Sequence, residues 1–106
     1  MTNLDALMAE VEPYTVSPVA YSKRLVDAGI DENAEYTIGN KKSIAICAVI
    51  ILVSLLPLSS DNTGRASQSY DRKGLEERIK ALCDENELDE EDYTEKPSVR
   101  IYRNLY

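Results

Sequence analysis

Residues 40–56, NKKSIAICAVIILVSLL, decide the fold, because from residue 44 onward the segment is apolar on every side apart from Ser54. Its β-branched residues leave a buried strand open, but its length favours a helix. A helix that is apolar all round has to be surrounded by protein. The apolar run ends at Pro57, short of the roughly 20 residues that span a membrane, so we predict a central core helix.

Amphipathic helices are predicted on both sides of this segment. Residues 3–12 repeat apolar side chains at helical spacing, with Thr2 or Asn3 as N-cap. A second helix begins at Ser17 and Pro18 and ends at Gly29. Another covers residues 71–85. The side chains predicted to form the core are Leu7, Leu25, Ile46, Val49, Ile50, Val53, Leu75, Ile79 and Leu82.

A chain of 106 residues accommodates one small domain. We predict an all-α fold, a bundle of four to five helices around the central apolar helix, over residues 1–95. Within it, residues 59–70 are predicted to form a projecting loop or hairpin and residues 84–95 an acidic linker. Residues 96–106 then form an extended C-terminal arm.

Charge is distributed unevenly along the chain, whose net charge is -7. Residues 84–95 hold eight acidic side chains and no basic one, whereas residues 96–106 hold three basic side chains and no acidic one. This balance argues against a nucleic-acid-binding protein, which needs a basic surface for phosphate contacts. The acidic segment is interpreted either as a solvated surface or as a surface that repels another polyanion.

No catalytic or ligand-binding motif is found in the sequence. The chain has no histidine, which excludes histidine-based triads and histidine metal sites. It also lacks phosphate-binding, dinucleotide-binding, nucleophile-elbow and C-x-x-C patterns. Cys47 and Cys83 are predicted to be buried, unreactive free thiols of a reducing compartment. We therefore expect no enzymatic activity, no metal site and no cofactor.

The C-terminal arm and the polar loop supply the candidate interaction residues. The arm alternates apolar and aromatic side chains with arginines, which favours docking on a neighbouring subunit. Packing back on the same domain is an equally open interpretation. The candidate interaction residues are Arg65, Ser67, Ser69, Tyr70, Val99, Arg100, Ile101, Tyr102, Arg103, Leu105 and Tyr106.

The order of these elements resembles a known family over nearly the whole chain. NLDALMAEV at residues 3–11 precedes the Ser-Pro-capped helix that ends in DAGI at residues 27–30. AEY, the NKK-initiated core helix, SQS and DRKGLEERIKAL follow, and then the acidic segment and a KP-initiated arm. This order is similar to that of the small head–tail connector (adaptor) proteins of tailed bacteriophages and of prophages in gut Bacteroidales.

The resemblance implies a structural virion component. Its copies would form a ring homo-oligomer that joins the portal protein to a tail-completion protein and extends the DNA channel. DNA would pass without specific binding, and the protein would reside in the virion neck after assembly in the host cytoplasm, without contacting a membrane. Residues 63–70 would be the projecting loop, residues 96–106 the arm on the portal or next protomer, and residues 84–95 a lining of the channel.

Two other functions remain open at this point. The chain could be a small non-enzymatic adaptor or regulatory protein that binds one protein partner through its C-terminal tail. Less favoured, because of the length of the apolar run, is a membrane-associated protein that uses residues 44–58.

Overall fold

A computed structural model of the protein describes residues 1–60 and 70–94. The helices are α1 (Asn3–Val11), α2 (Pro18–Asp27), α3 (Lys41–Leu55), α4 (Arg72–Asn86) and the single turn α5 (Glu91–Thr94). Short 3-10 turns at Ile38–Asn40 and Leu56–Leu58 flank α3, and β1 (Ser59–Ser60) pairs with β2 (Tyr70–Asp71). The predicted all-α bundle is therefore confirmed.

Helix α3 is the centre of the bundle, with α1 and α4 forming its most extensive contacts and α2 and α5 packing beside them. This arrangement follows from its sequence, since a helix with apolar residues on every side is stable in water only when other helices cover it. Its buried side chains are Ile44, Ala45, Cys47, Ala48, Val49, Ile51, Leu52 and Leu55.

The predicted core is correct at six of its nine positions. The buried ones are Leu7, Leu25, Val49, Leu75, Ile79 and Leu82. Ile46 and Ile50 are only half-buried and lie outside the core cluster, so their placement in the core was wrong. Val53 is also half-buried, but it packs against the edge of that cluster. These three residues share the side of α3 that the described helices leave least covered. A uniformly apolar helix carries no periodicity that would identify that side in advance.

The ends of α1 and α2 form as their cap residues predict. The Thr2 hydroxyl accepts a hydrogen bond from the Asp5 amide at 3.1 Å, and the Asp5 carboxylate accepts one from the Thr2 amide at 3.3 Å. At the start of α2, the Ser17 hydroxyl accepts from the Ala20 amide. Gly29 adopts a φ of 74° after α2, which lets the Ile30 amide donate to the Leu25 carbonyl at 2.8 Å. This left-handed turn explains why glycine occupies the position.

Asn3 is a buried polar residue that joins α1 to two other parts of the bundle. It is 1% exposed. Its amide nitrogen donates to the Asp31 carbonyl at 2.9 Å, and its amide oxygen accepts from the Asn40 side chain at 3.3 Å. The Asn3 backbone amide also donates to the Ala34 carbonyl. The loop before α3 is thus fixed to the beginning of α1.

Replacing Asn3 with leucine is expected to lower the free energy of unfolding by about 1–3 kcal/mol, because the Asp31 carbonyl and the Asn40 side chain would each lose a hydrogen bond. Urea denaturation followed by circular dichroism measures the loss. Asn33→Leu is the matched control, since Asn33 lies exposed on the same loop. Equal losses for the two variants would contradict a structural role for the Asn3 hydrogen bonds.

Side-chain contacts also fix α4 against its neighbours. Arg78 donates to the Glu10 carbonyl oxygen at 3.1 Å and to the Glu10 carboxylate at 3.0 Å, which joins α4 to the end of α1. At the last residue of α4, the ammonium of Lys41, where α3 begins, donates to the Asn86 side chain at 2.7 Å. At the first residue of α4, Arg72 donates to the Leu56 carbonyl just beyond α3 at 3.3 Å. Helices α3 and α4 are therefore antiparallel.

The short strands at the two ends of the predicted loop do not pair as a hairpin, and a hairpin within residues 61–69 stays a prediction. Ser59 pairs with Tyr70 and Ser60 with Asp71, and the two strands are parallel. A hairpin would instead bring its strands together in antiparallel orientation, whereas parallel strands need a crossover connection. Residues 61–69, which contain most of the predicted loop, lie outside the described residues.

Candidate interaction surface

The outer side of α2 carries an exposed apolar pair. Tyr21 and Leu25 are buried in the core, while Val19 and Val26 are 75% and 72% exposed. The two valines are seven residues apart, which places them on one side of the helix, two turns from each other. We call this pair the α2 face. Apolar side chains aligned on the side of a helix opposite the core are candidates for contact with another molecule.

A second apolar surface lies on the central helix itself. Ile46, Ile50 and Val53 follow each other at intervals of four and three residues, so they form one line along α3, which we call the α3 stripe. Ser43 and Ser54 beside it are exposed. Both serines lie on the same side of this line, so the α3 stripe has a polar border along that side.

The length argument against a membrane helix is corrected by the structure. With the turns at both ends of α3, the helical stretch Ile38–Leu58 has 21 residues, and an 18-residue window within it has a mean hydropathy of 2.0. By length and composition alone it is able to cross a membrane. What opposes insertion is packing, because eight side chains of α3 are already buried against other helices. A membrane-spanning α3 would have to give up those contacts.

An acidic surface covers the end of α4 and the turn into α5. The carboxylates exposed there belong to Asp84, Glu85, Glu87, Asp89, Glu91 and Asp92. Lys80 approaches the Asp84 carboxylate at 3.8 Å, but both side chains are largely exposed, so the pair contributes little to stability. The other exposed carboxylates give this surface a negative electrostatic potential. Such a surface repels nucleic acid and other polyanions.

Both cysteines are buried and free, as predicted. Burial raises the pKa of the Cys47 thiol, which donates a weak hydrogen bond to the Arg24 carbonyl at 3.6 Å. Burial also raises the pKa of the Cys83 thiol, and the carboxylates of Glu90, Asp84 and Asp89 raise it further. A thiol with a raised pKa is a weak nucleophile, so the environment of each cysteine disfavours thiolate chemistry.

These shifts predict a loss of stability at alkaline pH. The thiol pKa values are higher in the folded than in the unfolded protein, so the protonated thiols stabilise the fold fully below the ordinary thiol pKa of about 8.5. This stabilisation is lost as the pH rises through the higher thiol pKa values of the folded protein. Urea unfolding at pH values from 7 to 9.5 measures the slope of the free energy of unfolding against pH. The double variant Cys47→Ala with Cys83→Ala should show a shallower slope; an unchanged slope would contradict this origin.

A metal site or an apolar ligand pocket has little support in the described part of the chain. Residues 1–60 and 70–94 contain no group of three or more cysteines and acidic residues that could hold a metal ion. An open groove of about 480 Å³ runs beside α4, where Lys73 and Lys80 line it together with Glu76 and Glu77. This lining of mixed charges differs from the predominantly apolar pockets that bind small molecules.

The candidate interaction residues of the loop and arm lie almost entirely outside the described residues. Tyr70 is the exception, because its backbone belongs to β2. The others are Arg65, Ser67, Ser69, Val99, Arg100, Ile101, Tyr102, Arg103, Leu105 and Tyr106. The α2 face was not predicted. Its signal was present, since Val19 and Val26 lie at helical spacing opposite Tyr21 and Leu25.

Comparison with known proteins places the chain in a family. Residues 1–106 match DUF6706, a family of unknown function, and the chain belongs to that family. Neither the comparison with curated proteins nor the comparison with solved structures gave a match.

Proposed function

We propose that this DUF6706 chain is a non-enzymatic structural component of a virion, a head–tail connector subunit whose copies form a ring between portal and tail. The specific assignment rests on the resemblance in the order of its elements. The structural observation that carries it is the α2 face, where Val19 and Val26 point away from a well-packed core. A subunit that assembles needs such an apolar surface on a rigid body.

A ring imposes a geometric requirement on that surface. Copies in a ring meet through two different patches, one on each side of the subunit, and the rotation between them closes the circle. The α2 face supplies one apolar patch on the outside of the bundle. Burying it against a neighbouring copy would remove two exposed valines from water, which favours association.

The charge of the bundle suits a channel that DNA passes through. The exposed carboxylates at the end of α4 would repel the phosphate backbone when they line such a channel, so DNA would slide without being held. In this arrangement the arm at residues 96–106 and the loop at residues 59–70 would contact the portal protein, the tail-completion protein or the next protomer. The protein would assemble in the host cytoplasm and end in the virion neck, without a membrane partner.

The molar mass of the full-length chain tests this function. Light scattering after size exclusion, over a wide range of concentrations, is expected to show a discrete species of many copies. The measurement is repeated with purified portal rings, which would serve as a template if free copies associate weakly. A chain that stays monomeric at every concentration and does not bind portal rings would contradict the connector function.

A second candidate function is a small adaptor or regulatory protein that binds one partner through its C-terminal tail. Its support is the composition of residues 96–106, where apolar and aromatic residues are interspersed with three basic ones. This function predicts a stoichiometric complex with one partner and no ring. The same light-scattering measurement therefore separates the two candidates.

A further inference from the structure

The α3 stripe lies on the helix that otherwise forms the core. Ile44, Val49 and Leu52 are completely buried, whereas Ile46 and Ile50, on the same helix, are half-buried. No charged side chain interrupts the line from residue 46 to residue 53. At 1.5 Å per residue this line is about 10 Å long, which is short enough to be covered by a few residues of extended chain.

The end of the described chain lies close to this helix. Helix α5 packs against α3, and Tyr93 within α5 is partly buried against the core. Twelve residues follow Thr94. In extended form, residues 95–98 cover about 13 Å and residues 99–106 about 26 Å more, so the segment is long enough to reach and cover the α3 stripe.

The composition of that segment fits an apolar line with a polar border. Five of the eight residues from 99 to 106 are apolar or aromatic: Val99, Ile101, Tyr102, Leu105 and Tyr106. Two basic residues of the same eight, Arg100 and Arg103, and Lys96 just before them follow an acidic stretch that includes the exposed Glu91 and Asp92 of α5. Opposite charges favour keeping the segment near the bundle.

We propose that residues 99–106 of the same chain dock on the α3 stripe in the free subunit. A segment attached through four residues has an effective concentration in the millimolar range at a nearby surface, well above that of a second copy in dilute solution. Such docking requires no ring and is independent of the connector function. In an assembly, the same segment would be free to leave its own α3 stripe and dock on the α3 stripe of a neighbouring copy, as in domain swapping.

Methyl NMR of the full-length chain tests the docking at a concentration where light scattering shows a monomer. With isoleucine methyl groups labelled, nuclear Overhauser contacts are expected between Ile101 and both Ile46 and Ile50. Ile101→Asp should shift the Ile46 and Ile50 methyl resonances and leave that of the buried Ile44 unchanged. Ser98→Asp places the same charge in the segment without removing an apolar contact, so it should shift none of them.

The reciprocal variant Ile50→Asp should shift the Ile101 methyl resonance to its value in an unstructured peptide. Absence of the expected contacts, or an Ile101→Asp variant that leaves Ile46 and Ile50 unchanged, would overturn the proposal. Contacts found only between differently labelled chains would identify a second copy as the occupant instead. A stripe whose resonances respond only to added phosphatidylcholine vesicles would identify a lipid surface; either result also overturns docking within one chain.

Discussion

Replacing Leu52 with aspartate is expected to unfold the protein. Leu52 is completely buried in the middle of α3. An unpaired charge at such a position costs about 3–5 kcal/mol. Loss of the leucine packing costs a further 2–5 kcal/mol or so. Together these losses are comparable with the whole stability of a small domain, about 5–15 kcal/mol. Circular dichroism at 25 °C and a thermal melt measure the effect.

Ile50→Asp is the matched control on the same helix. Ile50 belongs to the half-buried α3 stripe, so a carboxylate there retains access to water and the protein should stay folded with a reduced melting temperature. The sequence alone places Ile50 in the core and predicts that this variant unfolds. A variant at residue 50 as damaging as the one at residue 52 would show that α3 packs through a different side from the one described.

The double variant Val19→Asp with Val26→Asp is expected to prevent assembly and leave the fold intact. Both side chains are more than two thirds exposed, so the substitutions remove little packing within the subunit. Two carboxylates on the α2 face would have to be desolvated in any interface formed there, which strongly disfavours association. In the light-scattering measurement, the high-mass species should be replaced by a monomer with the circular dichroism spectrum of the wild type.

The control for this experiment places the same charges elsewhere on the surface. Ile38 and Leu58, at the two ends of the central helical stretch, are 82% and 60% exposed. Ile38→Asp with Leu58→Asp should keep both the fold and the assembly. If the α2 variant assembled as well as the wild type, another surface would have to hold the copies together.

The helices themselves were predictable because their signals are local. Ser17 followed by Pro18, and Gly29 eleven residues beyond Pro18, determine the two ends of α2 through bonds that involve only nearby groups. The stripe on α4, which includes Leu75 and Ile79, repeats at helical spacing and is buried as expected. Each of these features depends on neighbours a few residues away in the sequence.

Features that depend on tertiary contacts were not predictable in the same way. The apolar side chains of α3 do not distinguish its covered sides from the α3 stripe, because that distinction is made by where α1, α2 and α4 lie. Asn3 resembles an ordinary cap residue, and only the approach of Asp31 and Asn40 makes it a buried junction. The parallel pairing of β1 with β2 likewise joins residues eleven positions apart, which local signals do not determine.

The central claim, that copies of this subunit close into a ring, is tested most directly by negative-stain electron microscopy of the full-length chain, alone and with portal rings. Closed rings with a central opening, absent from the Val19→Asp with Val26→Asp variant, are the predicted result. Only single subunits or open chains of subunits, both alone and with portal rings, would contradict it.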